Sequence, residues 1–219
     1  LGTIVAAIRE GRRIYDNITK FVAFLLSANL GEVVLFATAI LAGLGAPMTI
    51  VQVLVINLIT DGLPAVALAR DPAVPGHERL LQARNRALLS PRVWGALAAV
   101  GLLVGAAAFA AFMVGRALGG DVAQTMAFVT VGVAELGFVF SCRSVLRPAW
   151  RVPVNPFLVG GVAASLLVLG LAVYAPVHGA FETVPLGPVE LITALGLALV
   201  PVTVIELAKA VGRRFGRAS

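Results

Sequence analysis

Long apolar runs separated by short polar, proline-containing stretches set the pattern of this chain. A hydrocarbon core about 30 Å thick takes about 20 mostly apolar residues per crossing helix. Runs of that length lie at roughly 21–44, 48–69, 93–115, 122–142, 157–177 and 187–208. Strands seldom exceed about ten residues, so length assigns all six runs to helices where periodicity alone does not. The expected fold is an all-α membrane protein with six transmembrane helices.

Composition agrees, because only 13% of the residues are charged and 59% are hydrophobic, against roughly 25% charged in a soluble domain. A net charge of +6 would suit nucleic acid, but the basic residues follow the membrane instead. Four precede or open the first run (Arg9, Arg12, Arg13, Lys20) and five lie between runs two and three (Arg70, Arg79, Arg84, Arg86, Arg92). Three follow run four (Arg143, Arg147, Arg151) and four close the chain (Lys209, Arg213, Arg214, Arg217), leaving only Arg116 for the opposite side. The positive-inside rule then puts both termini in the cytoplasm, with outer loops near Gly43–Pro47, Leu118–Asp121 and His178–Pro185. Membrane lipid is the expected partner, and nucleic acid is not. The single cysteine, Cys142, excludes an intrachain disulfide and reads as a buried or reduced thiol. The chain opens on LGTIVAAIREGRRIYDNITKF with neither Met nor a signal pattern, and reads as a fragment. Fifteen Arg against two Lys, with abundant Ala, Gly and Val, point to a bacterial cell membrane.

Charge inside the runs changes the picture more. An ionisable group there costs about 2.5–3.5 kcal/mol on insertion scales. Three carboxylates nevertheless sit well inside: Glu32 in run one, Asp61 in run two and Glu135 in run four, with Ser27, Asn29, Asn57 and Thr60 at similar depth. No Lys or Arg accompanies them. An unpaired acid in a bilayer holds a proton, finds donors or binds a cation. Asn29 and Glu32 are one helical turn apart, as are Asn57 and the pair Thr60 and Asp61, so each set can line one helix face. Carboxylate, amide and hydroxyl oxygens are hard ligands, and calcium fits them best. In TDGLP, Gly62 and Pro64 weaken the helix directly after Asp61 and predict local unwinding there. Taken singly, Ser27, Thr38 and Thr130 read as interhelical hydrogen-bond partners. Glu135 stands between the two readings, and Glu190 and Glu206 read as structural residues near the ends of run six.

With those residues identified, YDNITKFVAFLLSANLGEVV followed by PMTIVQVLVINLITDGLPAVALARDP resembles the fifth and sixth transmembrane helices of P-type cation ATPases, on the calcium-pump branch. MAFVTVGVAELGFVFSCRS resembles the eighth helix, and the other runs fit helices seven, nine and ten. The resemblance implies ion ligands at Asn29, Glu32, Asn57, Thr60, Asp61 and Glu135, with Asp61 shared between two sites. Asn57 would serve the second site, and Asn29, Glu32, Thr60 and Glu135 the first. It further implies that Ca2+ is the transported ion, with Na+, K+, H+ or another cation as alternatives, and that protons are carried in return. Sodium-potassium-type pumps usually carry an acid where this chain has Asn57, and one-site calcium pumps usually lack one at the position of Glu32.

The family's first four helices, with the acid that completes the second site, are not in this sequence, nor are DKTGT or GDGxND. Mg2+ and ATP would belong to those absent cytoplasmic domains, which are expected partners. The resemblance divides the chain into a stalk (1–20), an ion-binding helix pair (21–69), a cytoplasmic loop (70–92), four supporting helices (93–208) and a basic tail (209–219). A stand-alone six-helix cation channel or secondary transporter, and a non-catalytic pump remnant, remain as competing readings.

Overall fold

The computed structural model describes residues 2–72, 91–144 and 148–215. Within them six helices are long and apolar enough to cross a membrane. They are α1 (Gly2–Leu41), α2 (Ile50–Leu68), α3 (Pro91–Arg116), α4 (Gly120–Cys142), α5 (Pro156–Tyr174) and α6 (Pro188–Phe215). No strand occurs among the described residues. The chain is therefore an integral multi-pass membrane protein. Most of the loop between α2 and α3, including Arg79, Arg84 and Arg86, lies outside the described residues, as do Arg147 and Arg217.

Local chemistry sets the helix ends. α1 is a single helix of 40 residues, so the expected stalk and first span are continuous. It stops where Gly43 takes φ +69°, with Leu44 N–H bonded to the Ala39 carbonyl and Gly43 N–H to that of Ile40, the paired bonds of a Schellman end. Thr49 and Gln52 form a reciprocal capping box at the start of α2. α5 ends at Tyr174, short of the expected residue 177, because Ala175 precedes Pro176 and is extended (φ −71°, ψ 158°).

α4 lies at the centre: 78% of its most apolar stretch is buried, against 22% for α6 and 33% for α5. α3 and α6 pack along it, and α1 runs against α3. A Cβ at Gly105 would stand 2.7 Å from Val34 side-chain atoms and 2.8 Å from the Gly31 carbonyl, and one at Gly101 2.8 Å from Leu30. This close approach of small residues four apart is how helices gain van der Waals contact where no hydrophobic effect drives them together. α2 instead packs through its second half against α5 and α1.

At the end of the bundle carrying Lys20 and Arg143, a buried ionic hub ties four helices together. Asp71, fully buried, accepts from Lys20 Nζ of α1 at 3.0 Å, from Arg143 Nε just beyond α4 at 2.8 Å and from Asn155 Nδ2 at the start of α5 at 3.0 Å. Lys20 also pairs with Asp16 at 2.8 Å, so the two cations face two carboxylates. Asn17 donates to the Ala69 and Asp71 carbonyls, and Asn155 to that of Ala67, closing the end of α2. Asn155 Oδ1 meanwhile caps α5 by accepting from Phe157 and Leu158 N–H. Nearby, Glu206 of α6 accepts from Ser141 (2.7 Å), Ala149 N–H (2.7 Å) and Lys209 (2.9 Å), which fits its reading as structural.

Removing one member of a buried ion pair strands the other charge, a change that costs about 3–5 kcal/mol. Asp71→Ala is therefore expected to destabilise the purified chain in detergent by about that amount, with Asp71→Asn between it and the unsubstituted protein. Denaturant titration followed by helical circular dichroism measures both.

Candidate functional site

Glu32, Asn57, Thr60, Asp61 and Glu135 come together where α1, α2 and α4 meet. Glu32 of α1 is 7% exposed, Asp61 1%, and Thr60 and Glu135 are fully buried. The Asn57 amide donates to both Glu32 oxygens at 2.8 Å and to its own-helix Val53 carbonyl at 3.1 Å. Asp61 and Glu135 are electrostatic neighbours, with Glu32 in range of both. Thr60 lies against α4, its Cγ2 3.6 Å from where a Cβ on Gly132 would stand.

Asn29 is not drawn into this group. It is exposed on α1 and donates to the Leu25 carbonyl at 2.7 Å. The hydroxyls divide in the same way. Thr130 bonds across to the Ala194 carbonyl of α6 at 3.3 Å, in the manner expected of an interhelical partner, whereas Thr38 returns to its own helix at Val34. Ser27 differs from the expectation: it is fully buried and its hydroxyl has no partner among the described residues.

The backbone of α2 breaks differently from the expected unwinding at Gly62–Pro64. Ile56–Thr60 forms one π-helical turn, closed by Asp61 N–H to the Ile56 carbonyl at 2.8 Å, and regular helix resumes over Gly62–Leu68. Pro64 fits there because the first turn of a new helix segment needs few of its own N–H groups. A π turn inserts one extra residue into the helix, which rotates Thr60 and Asp61 relative to the preceding α-helical half. Pro64 leaves the Thr60 carbonyl without its usual i+4 donor. That carbonyl and the Ile59 carbonyl instead share the single hydroxyl hydrogen of Ser165 on α5, with Oγ 3.3 and 3.2 Å away. Ser165 had no signal of its own in the sequence, being one hydroxyl in an apolar run.

Thr60 Oγ1 is buried without a hydrogen-bond partner among the described residues, and Asp61 Oδ1 and both Glu135 Oε atoms meet no N–H or hydroxyl donor there; the two carboxyl groups lie within hydrogen-bonding reach of each other, so a proton on one would join them. A buried polar group left unsatisfied forfeits about 1–3 kcal/mol. A set of such hard oxygens on neighbouring helices is suited to a dehydrated alkali or alkaline-earth ion. Among the described residues, no three His, Cys, Asp or Glu side chains converge tightly enough to hold a metal ion by themselves. Amide, hydroxyl and carbonyl oxygens would have to complete the coordination.

If these acids held helices together as charged hydrogen-bond acceptors, neutral isosteres would weaken the fold. Asp61→Asn and Glu135→Gln are instead expected to match or exceed the unsubstituted chain in stability, by up to about 1–3 kcal/mol, because an amide is less costly to bury than an unpartnered carboxylate. Melting in detergent with a chelator present measures this, and a loss in both variants would return them to a structural role.

Comparison with known proteins places the chain in a family. A family model described as the C-terminus of cation transporting ATPases matches residues 45–211. The chain is 35% identical over 205 residues to a calcium-transporting ATPase of Bacillus subtilis, covering 91% of this chain and 23% of that protein. It is 30% identical over 217 residues to a calcium-transporting ATPase of Listeria monocytogenes, covering 97% of this chain and 25% of the relative. A shorter match, 55% identical over 71 residues, covers 32% of this chain and 5% of a P-type sodium-transporting ATPase of Toxoplasma gondii. The chain thus spans about a quarter of the length of its bacterial calcium-transporting relatives. By the extent of these matches and its six spanning helices, the chain belongs to the P-type cation-transporting ATPases, as their C-terminal transmembrane region.

Proposed function

We propose that the chain supplies ion-binding residues to an ATP-driven pump whose transported cation is calcium. The observation that carries this reading is the convergence of the buried Asp61 and Glu135 carboxyls, which no N–H or hydroxyl among the described residues meets, beside the Glu32–Asn57 pair and the π turn of α2. Glu32, Asn57, Thr60, Asp61 and Glu135 would contribute ligands directly. Calcium takes six to eight oxygens, and this cluster offers a partial shell. The rest of the pump would bring the remaining ligands. Asn29 would join from the rim of α1, where Val33 one turn on is also exposed, as Leu54 and Leu58 are on α2. Further helices of the pump would pack on such exposed apolar surfaces.

ATP, Mg2+ and the phosphorylated aspartate would act in cytoplasmic domains joined to this region, and α1, continuous from Gly2 to Leu41, would carry their movement to Glu32. Acids left at that depth when a cation departs need another positive partner. Proton counter-transport therefore accompanies the reading. Both termini would face the cytoplasm of a bacterial cell, as the distribution of Lys and Arg favours.

The direct test is calcium-dependent phosphoenzyme formation and ATP-driven uptake by the full-length gene product in membrane vesicles. Asp61→Asn and Glu32→Gln are each expected to raise the half-saturating calcium concentration by about tenfold or more, the equivalent of losing one good ligand contact. Unchanged calcium dependence in both rejects the site assignment, transport without ATP favours a channel or secondary transporter, and dependence on sodium in place of calcium keeps the pump and replaces its ion. For topology, cysteines placed at Asp121 and Gly179 in a Cys142→Ala background should react with an impermeant maleimide on intact cells. One placed at Val211 should react only after permeabilisation.

A further inference from the structure

The π turn of α2 is held open from outside that helix. Thr60 is fully buried, and its carbonyl lacks an i+4 donor because the residue there is Pro64. A buried backbone carbonyl with no donor is costly and rare. Ser165, itself fully buried on α5, spans the Ile59 and Thr60 carbonyls at 3.2 and 3.3 Å. One turn earlier on α5, Gly161 faces the same stretch of backbone. A Cβ there would lie 3.2 Å from the Leu63 carbonyl oxygen and 3.5 Å from Pro64 N. The absent side chain lets α5 approach α2 closely enough for the Ser165 hydroxyl to reach. The two carbonyls flank Asp61 on its N-terminal side, so fixing them fixes the direction in which Thr60 and Asp61 leave the helix.

We propose that Ser165 is a positioning residue for the cation cluster: its one hydroxyl hydrogen, shared between the carbonyls freed by the π turn and Pro64, holds that backbone and so aims Thr60 and Asp61 toward Glu32 and Glu135. Ser165 touches neither carboxylate; it acts through the backbone of α2. The inference rests on the reading of the cluster as an ion site, and it adds to that site a helix that contributes no ligand.

The test is a cycle on the full-length protein with Ser165→Ala, Ser165→Thr, Pro64→Ala and the Ser165→Ala/Pro64→Ala double variant. Half-saturating calcium and maximal phosphoenzyme level are read separately. Ser165→Ala is expected to raise half-saturating calcium about fivefold, the effect of one hydrogen bond, with the maximal phosphoenzyme level retained. Ser165→Thr, which keeps the hydroxyl, should stay within about twofold of the unsubstituted protein. Pro64→Ala returns a donor to the Thr60 carbonyl, so in that background the Ser165→Ala effect should shrink, the non-additivity expected of groups sharing one partner. An unchanged half-saturation in Ser165→Ala, an equal loss in Ser165→Thr, or the same factor in both backgrounds overturns the proposal. If the unsubstituted protein shows no cation dependence, the ion-site reading fails, and with it the aim assigned to Ser165. The same cycle read on melting temperature in detergent then separates the backbone contact, which predicts non-additive losses, from a bystander hydroxyl, which predicts additive ones.

Discussion

A carboxylate carried to the depth of a hydrocarbon core has no water to turn to, and its partners must come from the protein or from an ion. α4 is the element most shaped by this constraint. It is the most enclosed of the six spans, and it carries Glu135 where α1 and α2 meet it. A helix facing lipid along one side would have exposed that acid to hydrocarbon. Surrounding α4 with α3, α6 and α1 removes the exposure and leaves the carboxylate facing Asp61. The glycine contacts hold α1 close against α3, and on the same helix Glu32 meets Asn57 of α2.

The backbone obeys the same constraint as the side chains. A helix can be irregular inside a membrane only where something else satisfies the groups it frees. In α2 the π turn and Pro64 free carbonyls, and Ser165 meets them; at the end of the same helix the Ala67, Ala69 and Asp71 carbonyls are met by Asn155 and Asn17. α2 is thus held at its break and at its terminus by side chains of other helices, which accounts for a broken helix lying in one defined place.

The six spans were legible in the sequence because twenty apolar residues have few alternatives to a helix in lipid. The boundaries strayed at several ends: α5 stops early at Ala175–Pro176, where a local rule intervened, while α6 runs on to Phe215, past the expected 208. The acids of the cluster were legible because an unpaired carboxylate at that depth is expensive wherever it points. What escaped was direction and partnership. Asn29 shares a turn with Glu32 yet faces outward, since spacing fixes neighbours along a helix but not which side meets another. Lys20 and Arg143 counted only as basic residues at the membrane edge, while in the fold they converge on Asp71 across separations of 51 and 72 residues. No local pattern announces a pairing of that span. Gly62 and Pro64 correctly marked a weak point in α2, but the irregular turn falls just before Asp61 because a proline in the opening turn of a helix segment disturbs it little.

The hub at Asp71 also gives α1 a mechanical character. A helix of 40 residues is a rod about 60 Å long, and Lys20 grips it near its midpoint. From that grip the arm to Gly2 is about 27 Å and the arm to Glu32 about 18 Å. A rigid rod pivoting at that grip would turn a sideways displacement of about 3 Å at Gly2 into one of about 2 Å, in the opposite direction, at Glu32. Comparable in size to the 2.8 Å bonds by which Asn57 holds the carboxylate, such a shift would have to work against the packing of Leu30 and Val34 on Gly101 and Gly105 of α3.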